Sequence, residues 1–176
     1  MIDFSRNHFE LFGLPTSFSV DAAALDRAWR ELQGEVHPDR HAGAGDATRR
    51  LALQASARVN EAYRALKDPV ERGRYLLQLR GIDAFDETDT RLPLDFLEAQ
   101  LDRRERAAAA AAAGDVAALD DIVAQIRTES RTRERDLAAL LERASDGARA
   151  TAVLRELRFL SKVAEDVGAM AEALDA

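Results

Sequence analysis

Residues 21–67 read DAAALDRAWRELQGEVHPDRHAGAGDATRRLALQASARVNEAYRALK. Apolar side chains recur here at threes and fours, first as Leu25, Ala28, Trp29, Leu32 and Val36, then as Leu51, Ala55, Val59, Ala62, Tyr63 and Leu66. That spacing is the signature of two amphipathic helices, each with one stripe to bury. Asp21 is placed to cap the first of them. Pro38 ends it at or near His37, because the residue before a proline avoids helical geometry. Gly34 weakens it by about 1 kcal/mol relative to alanine. His41 to Asp46, with Gly43 and Gly45, reads as a loop, and a second helix runs from about Ala47 to Lys67. Two amphipathic helices joined by a short loop bury their stripes against each other as an antiparallel hairpin. His37-Pro38-Asp39 stands in the connection.

Outward from this hairpin the pattern stays helical, and no stretch alternates like a strand. Phe9, Leu11, Phe12 and Leu14 form a short apolar cluster stopped by Gly13 and Pro15. Asp68-Pro69 is an N-cap followed by a proline at the first helical position, opening a short helix through Tyr75, Leu76 and Leu79 that Gly81 closes. Residues 81–92 are polar and acidic and read as a linker. Near Leu92-Pro93 or Asp95 a helix opens with Leu94, Leu97 and Leu101 and ends at Gly114. Asp115 caps the next, whose middle, Arg127 to Asp136, has no apolar residue, so the helix is either solvated or interrupted there; Gly147 is expected to close it. The last helix carries Val153, Leu157, Leu160, Ala164, Val167, Ala171 and Leu174. Three antiparallel helices with short turns bury such stripes together. The expectation is an all-α chain: a hairpin domain over 1–80, a linker over 81–92, and a three-helix bundle over 93–176.

Composition narrows the function. Of the net charge of −7, residues 1–80 carry +1 and residues 81–176 carry −8. An acidic half argues against nucleic acid, whose phosphates require clustered cations. No stretch has the length and apolarity of a membrane span, and residues 1–6 lack the basic start and apolar core of a secretory signal. The absence of cysteine excludes disulfides and thiolate metal sites. A cytoplasmic location is expected. His37, Asp39 and His41 are metal-ligating types, but Pro38 splays them, and no metal or cofactor is expected. No P-loop and no Ser-His or Cys-His pair is present, so no catalytic centre is expected either.

The tripeptide takes its meaning from its setting. Pro38 stiffens the turn and holds His37 and Asp39 in fixed directions. Asp39 is then able to meet an arginine of another protein in a charge-assisted contact. With His37-Pro38-Asp39 between its second and third helices, Arg40 following and a short closing helix, the segment 8–80 resembles a J-domain. More closely, residues 9–15 (FELFGLP), 59–63 (VNEAY) and 75–81 (YLLQLRG) resemble HscB, the iron–sulfur cluster co-chaperone family. The likeness continues in 96–101 (FLEAQL) and 157–162 (LRFLSK), and so spans nearly the whole chain.

That resemblance implies an L-shaped protein whose J-domain docks on HscA, a DnaK-type chaperone, and accelerates its ATP hydrolysis. The C-terminal bundle would bind and deliver the scaffold protein IscU. By position, His37, Pro38 and Asp39 would be the stimulating loop, with Arg27, Arg30 and Arg40 as flanking chaperone contacts. Leu97, Leu101, Asp102, Arg104, Glu105 and Phe159 would fall on the scaffold-binding surface. Several positions depart from the family pattern: Val36 where an aromatic is usual, Gly34 where a basic side chain is common, Glu98 for an apolar residue, and Arg103 where leucine stands in relatives. The alternative is a J-protein serving a general DnaK-type chaperone with another client.

Overall fold

A computed structural model of the chain describes residues 3, 5–36, 45–86, 91–143 and 146–175. All regular structure among them is helical: α1 (His8–Leu11), α2 (Ala22–Val36), α3 (Asp46–Lys67), α4 (Pro69–Gln78), α5 (Leu94–Ala113), α6 (Val116–Leu141) and α7 (Gly147–Asp175). None of these helices is long and apolar enough to cross a membrane. The chain divides into two compact units, Met1–Leu76 and Leu77–Ala176.

In the first unit, Asn7 and Glu10 cap α1 reciprocally: the Asn7 side chain accepts from the Glu10 amide, and the Glu10 carboxylate from the Asn7 amide. Phe9, Phe12 and Phe18 are thereby turned inward and buried, as are Leu25, Val59, Ala62 and Leu66. Asp21 Oδ1 accepts from the amides of Ala23 and Ala24 at 2.9 and 3.1 Å, opening α2 as its sequence demands. Asp68 does the same for α4, accepting from the Glu71 amide at 2.8 Å. Leu51 departs from the expected stripe. It is exposed, and Ala52 is buried in its place.

Much of the α2–α3 seam is polar. Trp29 Nε1 and Gln33 Nε2 both donate to Asn60 Oδ1, at 3.1 and 2.6 Å. The indole of Trp29 stacks on Tyr63 with centroids 4.7 Å apart. The Tyr63 hydroxyl donates to Asp26 at 2.7 Å and accepts from Lys67 Nζ. That bond from Tyr63, with Lys67 alongside, holds the Asp26 carboxyl below the usual carboxylate range.

In the second unit α6 and α7 form the main pair. Leu119, Ile126 and Leu137 from one, and Leu154, Leu157 and Leu160 from the other, are almost wholly removed from solvent. α6 runs unbroken through its polar middle, which settles the choice left open by the sequence in favour of a continuous helix. Gly114 takes φ +68° between α5 and α6, the left-handed cap that glycine favours. Asp115 then accepts from the Ala118 amide at 3.0 Å. Gly147 opens α7 instead of closing α6, which ends at Leu141 with Glu142 as its cap. A Cβ there would lie 2.5 Å from Ile82 Cδ1, so a larger residue would require the tip of the Ile82 side chain to shift.

The segment expected as a linker is partly packed. Ala84 is fully buried, and its carbonyl accepts from Arg155 Nε at 2.9 Å. Just before it, the Arg80 guanidinium donates to the carbonyls of Leu141 and Arg143. These are groups that the end of α6 leaves without helical partners, and a cation suits that end of the dipole.

Among the described residues His8 is the one strongly shifted group. It is 5% exposed and stacks on Tyr75 at 4.0 Å, and its Nδ1 has no hydrogen-bond partner among the described residues. Burial lowers its pKa from 6.5 to about 4, and Arg58 adds to the effect while Glu61 opposes it. The fold therefore excludes a proton that the unfolded chain takes up below about pH 6.5. Stability should fall as pH drops from about 6.5 to about 4, by at most about 1.4 kcal/mol per pH unit from this group. Urea unfolding of the parent and of His8→Phe across that range checks this: the variant should show a shallower dependence.

Candidate functional site

The first candidate face is the loop end of the α2–α3 hairpin. His37, Pro38, Asp39 and Arg40 lie outside the described residues, as does His41. Their flanks are described: Val36, buried, ends α2, and Gly45 is the N-cap of α3. The loop is therefore hung between two helices whose register is set by the Asn60, Trp29 and Tyr63 contacts. Arg27 and Arg30 are exposed on α2, one turn apart, and Arg30 Nε donates to the Asp26 carbonyl at 3.1 Å. On α3, Arg49 and Arg50 are also exposed, together with Leu51 and Leu53.

The second candidate face is on α5. Leu94, Leu97 and Leu101 are 72%, 39% and 60% exposed, while the residues α5 buries are Phe96, Gln100, Ala107 and Ala110. At about 100° per residue the leucine row lies roughly 125° around the helix from that buried face. Burial of so apolar a row is what a helix of this composition would ordinarily achieve. Here the core takes alanines and a glutamine, and the leucines stay in water. Arg104 and Glu105 are exposed and flank the row. Phe159 of α7 joins it from the side: its ring packs edge to face on Phe96 at 5.7 Å, with the Arg104 guanidinium 5.6 Å from its centroid. Phe159 is thus half-buried and part of the bundle. Asp102 points elsewhere, roughly 100° beyond the row, and pairs with Arg106 at 3.8 Å. Leu94 belongs with Leu97 and Leu101 by spacing and exposure, although the resemblance singled out only the latter two.

A helical hairpin whose connecting segment carries His37-Pro38-Asp39, together with a second helical unit whose α5 leaves three leucines exposed, has the make-up of a J-domain co-chaperone. Residues 92–168 match the family model described as the HSCB C-terminal oligomerisation domain. A co-chaperone protein HscB homolog of Burkholderia multivorans is 48% identical over 175 residues, 99% of each chain. Among solved structures, chaperone HscB from Vibrio cholerae superposes with a TM-score of 0.84 at 35% identity, covering 96% of this chain and 99% of that one. Human co-chaperone HscB superposes with a TM-score of 0.86 at 29% identity, covering 95% of this chain and 83% of that one. The chain belongs to the HscB co-chaperone family.

The geometry separates residues that hold the bundle from residues that are free to hold something else. Leu97→Ala/Leu101→Ala should leave the unfolding free energy within about 0.5 kcal/mol of the parent, since both side chains are exposed and alanine favours the helix. Phe159→Ala should cost about 2 kcal/mol, below the range for a fully buried phenylalanine, because it strips the partner ring from Phe96. Thermal and urea unfolding of the two variants check both values.

Proposed function

We propose that this chain serves iron–sulfur cluster assembly in the cytoplasm, coupling delivery of a scaffold protein to ATP hydrolysis by a partner chaperone. The partner is an HscA-type ATPase, and the client an IscU-type scaffold. His37, Pro38 and Asp39 form the stimulating loop, with Arg27, Arg30 and Arg40 as flanking contacts. Leu97 and Leu101, with Arg104, Glu105 and Phe159 beside them and Asp102 at the margin, form the scaffold-binding surface.

The observation that supports this reading best is the leucine row on α5. Three large aliphatic side chains in line on one helix face are the anchors that a partner's groove or apolar patch would cover. The surrounding Arg104 and Glu105 supply a charged rim, which fixes orientation more than it adds affinity. The pinned hairpin supports the other half, because a loop that stimulates an ATPase must be presented at a constant angle.

The test is a steady-state ATPase assay of the HscA-type chaperone with and without this protein and the scaffold. The parent should stimulate hydrolysis, and His37→Gln or Asp39→Asn should return the rate to its unstimulated value with helical circular dichroism unchanged. Leu97→Ala/Leu101→Ala should keep stimulation by the loop but weaken scaffold binding at least about tenfold, which corresponds to 1.4 kcal/mol. Full stimulation by the His37 variant would overturn the loop assignment. Stimulation of a general DnaK-type chaperone, with none of the HscA type, would move the partner assignment.

A further inference from the structure

α5 meets the rest of its bundle in an unusual way. Phe96 anchors one end and Ala107 and Ala110 the other, while the middle of the contact, at Gln100 and Arg103, is polar. Small, similar side chains give a helix little to distinguish one turn of its neighbour from the next. Beyond the Phe96–Phe159 ring contact at one end and the Gly114-Asp115 turn at the other, what distinguishes the turns here is a chain of hydrogen bonds and ion pairs across all three helices. Arg103 of α5 donates through one nitrogen to Gln100 Oε1 and through the other to Glu129 Oε2 of α6, the latter at 2.8 Å. The second oxygen of Glu129 lies 3.9 Å from Arg133, and Arg133 Nε donates to Glu156 Oε2 of α7 at 2.6 Å. The Arg103 and Glu156 side chains are only 12% and 11% exposed. Gln100 is 2% exposed, and its Nε2 has no hydrogen-bond partner among the described residues.

The charges along this chain alternate and cancel, and the alternation forbids slippage. Sliding α5 by one turn in one direction sets Arg103 against Arg133, a like charge. Sliding it the other way sets Arg103 against Gln125 and leaves Glu129 short of a partner. Buried ion pairs of this kind add little net stability over apolar side chains of the same size, because desolvation offsets their attraction. Their best-attested use is to specify one register where packing alone would allow several.

We propose that Gln100, Arg103, Glu129, Arg133 and Glu156 form a register lock whose role is to position the Leu94, Leu97 and Leu101 row for the scaffold, at the expense of stability. These are positioning residues; none of them touches the client. The inference rests on the reading of the leucine row as the scaffold-binding surface.

The natural chain has no cysteine, so spin labels introduced at Ala109→Cys and Ala169→Cys report only the α5–α7 distance. Both sites are exposed and off the leucine row. In the full-length protein, Arg103→Met/Glu129→Leu/Arg133→Met/Glu156→Leu should unfold at or above the parent's temperature. Its label distances should broaden from one narrow population to several, and its binding to a purified IscU-type scaffold should weaken at least tenfold. Glu129→Gln alone should lower the unfolding temperature, because it removes the charge between the partly buried Arg103 and Arg133 guanidinium groups and leaves them only Gln100 and Glu156 as partners. A quadruple variant that is less stable than the parent or fails to fold makes the network a stabiliser and overturns the proposal. So does a variant with a single narrow distance, or one with parental affinity. Leu97→Ala/Leu101→Ala in the same binding assay separates the two ideas: undiminished binding there refutes the scaffold surface, while the label distances still decide the lock.

Discussion

Burial of leucine and isoleucine along the seam between α6 and α7 carries the C-terminal unit. Leu119, Ile126, Leu137, Leu154, Leu157 and Leu160 are at most 1% exposed, and each such side chain contributes about 2 kcal/mol by leaving water. Every other piece of the unit leans on that pair. α5 lies against one end of it through Phe96, Ala107 and Ala110. At the other end Arg80 closes the end of α6, and Ile82 occupies the space that Gly147 leaves open. With two helices supplying the stability, the third is relieved of it, and its leucines are free to face outward.

The N-terminal unit solves a different problem. Its two hairpin helices meet through directional contacts, which fix their register more definitely than a seam of interchangeable leucines would. Asn60 takes two donors, Trp29 and Gln33, that lie one turn apart on α2, so that its carbonyl oxygen fits only one register of the two helices. Tyr63 stacks on Trp29 and bonds Asp26, adding a second fixed point one turn along α3. Both units thus place polar groups where orientation matters and apolar groups where cohesion matters, and the proposed partner-facing residues sit on the oriented parts.

Helix ends were written plainly in the sequence. Asp21, Asp68 and Asp115 each accept the hydrogen bonds their positions called for, and Gly114 adopts the left-handed cap, because capping is local chemistry decided within four residues. The tripeptide and the family motifs likewise named the class of protein. Which face of a helix turns inward was legible only where the neighbour demands bulk. In α7 the stripe marked Leu157, Leu160, Val167 and Ala171 as core, while Leu174 at its end is exposed and Leu154 and Val163 beside it are buried. In α5 and at the start of α3 hydrophobicity misled: Leu94, Leu97, Leu101 and Leu51 are exposed, and Phe96, Gln100 and Ala52 are buried. Nothing in the periodicity of one helix reveals which of its faces a neighbour will meet or what that neighbour offers. The polar middle of α6 was ambiguous for the same reason, since Glu129 and Arg133 find their partners on other helices.

The run Ala107 to Ala113 looks uniform but divides into three kinds of site. Ala107 and Ala110 are buried in the core, Ala111 is half-buried against it, and Ala108, Ala109, Ala112 and Ala113 are exposed. At the first pair a larger residue would have to be fitted into the packed core, and the cost of overpacking would fall on the seat of α5. At the other four, substitution by any good helix former leaves the contact untouched. A stretch that composition alone would class as bias is therefore, at two positions in seven, among the least replaceable parts of the molecule, and drift in the alanine run should be confined to its outer face.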